Sequence, residues 1–233
     1  MTQYVYGKNV VKQLLQDGKP IHEVLIQEGI RDTALEGEIK KRRIPVKVLG
    51  RKKMDQGIAA CIDDYKTWEL EELLESVPQG KQPLLVMLDG LEDPHNLGAI
   101  LRTCDCIRAD GVIIGKHRNV RLTPTVAKVS TGAIDTVKVS VVTNLVQAIK
   151  YLKKQGYWVV GTDFENSRDY REGQYDVPLV LVIGSEGFGI SSLVKKNCDY
   201  CVRLPMEGSV SSLNASVAAG ILLYQIHAQR HPL

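Results

Sequence analysis

The sequence predicts an α/β protein, with a large parallel-sheet domain preceded by a smaller α/β unit. Three observations carry that prediction. From Leu84 onward, short apolar runs alternate with helical patterns, the signature of a parallel sheet covered on both faces. The most apolar run, Leu179 to Ile183, empties into a glycine-rich turn, Gly184-Ser185-Glu186-Gly187-Phe188-Gly189. An apolar strand that delivers its chain into glycines and one carboxylate is how an open sheet builds a ligand crevice at its carboxyl edge. Finally, Pro78-Gln79-Gly80-Lys81-Gln82-Pro83 reads as a linker, which places a first domain at 1–77 and a second at 84–233.

The chain has 233 residues, 44% hydrophobic and 24% charged, enough apolar content for a packed core and too much for a disordered chain. A net charge of +3 does not by itself demonstrate a nucleic-acid partner. Its distribution says more: residues 1–60 hold twelve Lys/Arg against seven Asp/Glu, whereas 61–80 hold one against six. The N-terminal MTQYVYGKNV lacks a basic-then-apolar signal pattern, and no apolar run approaches membrane-spanning length, so a cytoplasmic protein is expected. Reduced thiols are expected of the five cysteines, Cys61, Cys104, Cys106, Cys198 and Cys201. Cys198 and Cys201 form one C-x-x-C without a second pair, which points to structural thiols and to no metal.

Taken in order, Lys8 to Asp17 places Val10, Val11, Leu14 and Leu15 at helical spacing and closes at Gly18. Glu23 to Gln27 is a short strand. Asp32 caps a second helix carrying Leu35 and Ile39, which stops before Pro45. Lys40 to Arg43 ends that helix, either as a solvated terminus that suits the dipole or as an RNA-facing patch. Val46 to Leu49 and Ile58 to Ile62 are further strands, and Thr67 to Val77 reads as a helix. In the second domain, strands are predicted at Leu84–Leu88, Gly111–Ile114, Val137–Val141, Trp158–Gly161, Leu179–Ile183 and Tyr200–Leu204. The clearest helices between them are Asn96 to Ile107 and Leu145 to Gln155. A last helix follows Pro205-Met206-Glu207-Gly208-Ser209, with Ser211, Ser212 and Asn214 in its first turn.

The turn after Ile183 is G-x-x-G-x-G, neither the dinucleotide fingerprint nor a P-loop. Alone it is also consistent with a tight turn bearing a solvated glutamate. Asp93-Pro94-His95-Asn96 starts a helix that carries Arg102. Asn96 and Arg102 are six residues apart, about 600° around a helix, so they converge only if Asn96 lies in the loop or first turn. The plain alternative makes Asn96 a cap and Arg102 a surface charge.

Together, DPHNLGAILRT (Asp93 to Thr103), LVIGSEGFGI (Leu181 to Ile190) and LPMEGSVSSLNASVAAG (Leu204 to Gly220) resemble the three motifs of the SpoU, or TrmH, branch of the SPOUT RNA methyltransferases. The segment VYGKNVVKQLL near Val5 and the basic first domain are similar to the N-terminal RNA-binding domain of the bacterial ribosomal RNA guanosine 2′-O-methyltransferases. One departure is the stretch Lys53-Met54-Asp55-Gln56-Gly57, where those enzymes usually carry a Gly-Asn-His-Gln-Gly-like loop. It bears on the RNA target and leaves the methyl-transfer motifs untouched.

The resemblance implies a trefoil-knotted parallel-sheet methyltransferase domain, a homodimer and S-adenosylmethionine as cofactor. Carried over by position, backbone at Gly184, Leu204 and Leu213 should hold the adenine end, with Gly161, Thr162 and Met206 nearby. The implied catalytic set is Asn96, Arg102, Glu186, Ser212 and Asn214. Transfer to a ribose 2′-hydroxyl asks the protein chiefly to position two reactants and to activate a weakly acidic hydroxyl. The family pattern assigns Arg102 to that hydroxyl and the adjoining phosphate. A guanidinium, with a pKa above ~12, makes a poor base, so a fixed cation that stabilises the developing alkoxide is the better reading. Asn96 and Asn214 would orient ribose or Arg102, Glu186 would lock Arg102 or bind RNA, and Ser212 would line the site or cap the helix. The favoured substrate is a guanosine of large-subunit ribosomal RNA. A transfer RNA methyltransferase or orphan paralogue, and a non-catalytic RNA-binding protein that keeps the fold, are the alternatives.

Overall fold

The computed structural model describes residues 2–30, 32–50, 57–210 and 212–232. Backbone contacts divide the chain into two compact units. One comprises the residues up to Tyr65 with Thr123–Thr125, the other Lys66–Leu122 with Val126–Leu233.

The first unit is built from β1 (Thr2–Tyr6), α1 (Lys8–Gln16), β2 (Glu23–Gln27), α2 (Thr33–Lys41), β3 (Val46–Leu49) and β4 (Ile58–Asp63). Its sheet has the order β1-β4-β2-β3, parallel only between β2 and β3. Val11, Leu14 and Leu15 on α1 and Leu35 and Ile39 on α2 are buried with Val5, Val24, Ile58 and Ile62 of the sheet. Asp32 caps α2 by accepting from the Leu35 amide at 3.1 Å. Lys12 lies beside that carboxyl, and their hydrogen bond holds it below the usual carboxylate range. Strand β1 was not anticipated: of its five residues only Val5 is buried, so its pattern is too brief to read. Residues 53–56 of the departing loop lie outside the described residues.

The second unit begins with α3 (Leu70–Glu75), whose Leu70 and Leu73 join that unit's core. The sequence predicts a longer helix from Thr67 to Val77. It is shorter because the Trp68 amide donates to Val139 at 2.9 Å, in a bridge to the neighbouring strand, which leaves Glu69 and Glu72 to form a capping box one turn later. Then come β5 (Leu84–Asp89), α4 (Pro94–Cys106), β6 (Gly111–Gly115), α5 (Pro124–Ser130), α6 (Ala133–Thr136), β7 (Val139–Val142), α7 (Leu145–Lys154) and β8 (Trp158–Thr162). The chain closes with β9 (Arg168–Asp169), β10 (Leu179–Gly184), α8 (Ser192–Lys195), β11 (Tyr200–Arg203) and α9 (Ala215–Arg230).

The seven-stranded sheet has the order β7-β6-β5-β10-β8-β11-β9, and every pairing is parallel. Strand β10 is central and wholly buried, as its uninterrupted apolar sequence requires. Val137 and Lys138 fall outside β7 because Val137 closes α6. Among the described residues, no helix is long and apolar enough to cross a membrane.

The end of α9 is held by one side chain. Arg230 donates to the main-chain carbonyls of Tyr175 (2.9 Å), Gln82 (2.8 Å), Pro83 (3.3 Å) and Val177 (2.6 Å). A planar guanidinium spreads five donors over three nitrogens in a fixed fork, whereas an ammonium offers three on a single nitrogen. Arg230→Ala is therefore expected to destabilise the protein by about 2–3 kcal/mol, because carbonyls in a half-buried site lose a charged donor. Arg230→Lys should recover only part. Urea unfolding of both variants is the check, and an unchanged midpoint for Arg230→Ala would show the anchor to be dispensable.

Candidate active site

Because all seven strands run the same way, β5, β10, β8 and β11 end at one edge of the sheet, where their following loops converge. The loop after β10 is shaped by its glycines. Ser185 and Gly189 exchange two backbone hydrogen bonds of 3.1 and 2.9 Å, closing a tight loop with Gly187 and Gly189 at φ 82° and 64°. At Gly184 the reason is space, since an added Cβ would lie 2.0 Å from the carbonyl carbon of Gly189. Asp89, at the end of β5, accepts from the Ser191 amide at 2.7 Å and ties the far side of this loop to the sheet.

Two recesses flank the loop. The first, about 220 Å³, has mainly apolar walls, including Ile183, Val202, Leu204, Leu213 and Leu222. Asp163 stands at its rim, paired with Lys195, whose ammonium this partner holds above its usual pKa. The second is a more polar cleft of about 650 Å³, walled by the loops after β5, β6, β7 and β10. Ser185, Glu186, Phe188 and Gly189 line both.

At the junction lies a hydrogen-bonded cluster. Asn96, in the first turn of α4 and 5% exposed, donates from Nδ2 to Glu186 Oε1 at 2.9 Å. Asn214 donates from Nδ2 to Asn96 Oδ1 at 2.9 Å and to Glu186 Oε1. The Ala215 amide adds a third donor to that same carboxylate oxygen at 3.1 Å. Asn214 is also the N-cap of α9, accepting from Ser216 and Val217 through Oδ1. One residue thus starts the last helix and completes the cluster. Glu186 Oε2 has no partner among the described residues and remains free to accept a hydrogen bond.

Of the residues singled out in the sequence, Asn96, Glu186 and Asn214 come together. Ser212 lines the smaller recess three residues ahead of α9, and Asn214 takes the cap that Ser212 was a candidate for. Ser211 lies outside the described residues. Thr162, Gly184, Leu204, Met206 and Leu213 all line the recess. Gly161 does not, because the side on which its Cβ would stand is filled by Ile190 and by the sulfurs of Cys198 and Cys201. Arg102 is exposed on another face of α4 and makes no hydrogen bond or ion pair among the described residues, so Glu186 is held by amides and not by Arg102. Sequence reading missed Phe188, which is 93% exposed at the tip of the loop, and the basic run Lys116 to Arg121 after β6. Three cations, Lys116, Arg118 and Arg121, among those six positions were the available signal.

Two family models match this chain. Residues 4–68 match the substrate-binding domain of RNA 2′-O ribose methyltransferases. Residues 83–224, well over half of the chain, match the SpoU rRNA methylase family. The chain belongs to the SpoU rRNA methylase family. A Staphylococcus haemolyticus protein assigned to the TrmH family of tRNA/rRNA methyltransferases is 46% identical over 97% of this chain and 96% of its own. Among solved structures, the SpoU methyltransferase AviRb from Streptomyces viridochromogenes, in complex with AdoMet, superposes with a TM-score of 0.67. It is 25% identical and the match covers 98% of this chain and 90% of that one. The A. aeolicus TrmH/SpoU tRNA modifying enzyme is 32% identical, covering 69% of this chain and 82% of its own, with a TM-score of 0.60.

This SpoU protein is accordingly an RNA methyltransferase that uses S-adenosylmethionine. The smaller recess fits that cofactor chemically: apolar walls suit an adenine ring, and a glycine without room for a Cβ lets main chain approach closely. Among the described residues no group of three or more His, Cys, Asp or Glu is arranged to hold a metal. Cys104, beside Arg102 in sequence, is fully buried, and burial pushes its thiol up to about 12, so it packs as an uncharged core side chain.

Proposed function

We propose that this SpoU methyltransferase methylates a ribose 2′-hydroxyl, most specifically that of a guanosine in large-subunit ribosomal RNA. The observation that carries the reading is the Asn96–Glu186–Asn214 cluster, set at the junction between the recess that suits the cofactor and an open polar cleft. Backbone at Gly184, Leu204 and Leu213, with Thr162 and Met206 beside them, holds the cofactor, which supplies a methyl group already activated on sulfonium. Gly161 contributes from behind the recess, through the packing of Ile190. Asn96 and Asn214 fix the carboxylate of Glu186 so that Oε2 meets the RNA side of the junction. Ser212 adds a hydroxyl to the wall. Arg102 supplies a permanent positive charge for the developing alkoxide and the adjoining phosphate, and the proton leaves by phosphate or water.

The N-terminal unit binds the RNA, in keeping with its basic composition and its family match. A knotted thread through this sheet is part of the reading, on the strength of the family match. A tRNA target is the second reading, favoured by the 32% identity to an enzyme described as tRNA modifying. Mapping 2′-O-methyl positions in total RNA from cells lacking the protein, against the parent strain, decides between them. Loss of a single guanosine methylation in large-subunit RNA is the expected result, and an unchanged map would reject the activity.

The active form is a homodimer. Val217, Ile221 and Tyr224 are 49, 38 and 55% exposed at i, i+4 and i+7 of α9, an apolar stripe opposite the buried Leu222 and Ile226. Sedimentation at micromolar concentration should give a dimer, and glutamates at 217 and 221 should give a monomer. A wild-type monomer would reject the assembly.

A further inference from the structure

Phe188 has no part in the reading above, and the cleft beside it enters there only as the side that faces the RNA. An aromatic side chain 93% exposed, at the tip of a loop pinned by its own backbone bonds, gains nothing from its own fold. It lines both the cofactor recess and the cleft, so whatever covers it sits against the reacting centre. The cleft measures about 650 Å³, within the range of small-ligand sites. Its charge is mixed. The loop after β6 lines it with His117 and Arg118, and Lys116 and Arg121 in that loop are exposed as well. Arg118 lines the cleft and makes no hydrogen bond or ion pair among the described residues. The loop that carries it is fixed, since Asn119 accepts from the Leu91 amide at 2.9 Å and Val120 donates to the Leu91 carbonyl at 2.7 Å. The start of α7 also opens into the cleft and has no acidic residue in its first turn to offset its dipole. The two bonds to Leu91 also set the loop after β5 beside the loop after β6, which brings Asp89, Glu92 and Asp93 to the same cleft, Asp89 already holding the Ser191 amide and Asp93 the His95 amide.

We propose that this cleft receives the target nucleotide of the RNA, unstacked from its neighbours, with Phe188 stacking on its base and Arg118 engaging its phosphate. This rests on the RNA-methyltransferase reading and deepens it. A base offers an apolar face that any exposed aromatic side chain can cover, and N–H edges that carboxylates accept. Its phosphate belongs with Arg118, whose charge no group among the described residues pairs. Placing the base here brings the attached ribose to the junction where Glu186 and Asn96 lie.

The test uses full-length protein and total RNA from cells that lack it, with apparent KM and kcat for methyl transfer and calorimetric S-adenosylmethionine affinity measured together. Phe188→Leu keeps size and apolarity but loses the ring face. It should raise the apparent KM for RNA about tenfold or more, the usual scale of one stacked base, with cofactor affinity within twofold of wild type. Phe188→Tyr and Phe188→Trp should restore the KM. Arg118→Gln should also raise it and flatten its salt dependence. An unchanged KM in Phe188→Leu overturns the proposal, and so does an equal loss in Phe188→Tyr, which would rule out ring stacking. Cofactor affinity falling in step with transfer makes Phe188 a cofactor lid instead. Absence of transfer by the wild-type protein removes the underlying reading before any variant is compared.

Discussion

Gly184→Ala is expected to weaken cofactor binding about 100-fold while leaving a folded protein. The new Cβ would stand 2.0 Å from the carbonyl carbon of Gly189, 2.3 Å from its oxygen and 2.3 Å from the Ile190 nitrogen. All three are backbone atoms, so no rotamer change relieves the overlap, and the loop must move bodily by about 1 Å or more. That loop walls the recess and also carries Glu186, so one methyl group disturbs both reactants. Misplacement on this scale costs about 100-fold in well-positioned chemistry, and S-adenosylmethionine affinity should fall by a similar factor. The stability cost should be about 1–3 kcal/mol, as for other overpacked sites. Gly208→Ala is the matched control, because nothing lies within 4 Å of its added Cβ and its φ is not in the left-handed range. Calorimetry and circular dichroism on both variants decide the matter. Wild-type affinity in Gly184→Ala would mean that the cofactor is not held by this loop.

What could be read from the sequence depended on how local its cause was. Strand β10 is written as six consecutive buried residues and α4 as an Asp-Pro cap followed by an amphipathic run, so both were legible from neighbours alone. The sheet order was not, because nothing within β10 says that it lies between β5 and β8. The same holds for the site. Asn96 and Asn214 are 118 positions apart and meet only because α4 and α9 begin at the same edge of the sheet. Ser212 and Asn214 are both good caps in isolation. Asn214 serves because its amide also reaches Asn96 and Glu186, a demand that local pattern cannot express. Trp68 makes the same point for secondary structure, since a bridge to β7 overrode the helical pattern from Thr67.

Arg102 gives the most discriminating outcome for mechanism. It lies six residues beyond Asn96 on a continuous helix, roughly 240° round from it, and stands exposed without a partner among the described residues. Its charge is therefore available to something outside the described fold, which the proposed mechanism identifies as the RNA phosphate and the developing alkoxide. Arg102→Lys keeps the charge but loses the two-pronged donor, and should retain a trace of methyl transfer. Arg102→Ala should retain none measurable, since losing one preorganised donor costs about 10²- to 10³-fold. Cofactor affinity should be unchanged in both, because Arg102 does not line the recess. RNA affinity should fall only modestly, one phosphate contact among many being lost. Transfer to RNA, cofactor binding and RNA binding are to be measured on the same purified proteins. Near-normal transfer by Arg102→Ala would place hydroxyl activation elsewhere. The free Oε2 of Glu186 would then be the group left in position to take the proton, and Glu186→Gln, which keeps an acceptor but removes the charge, should in that case stop the reaction where Arg102→Ala did not.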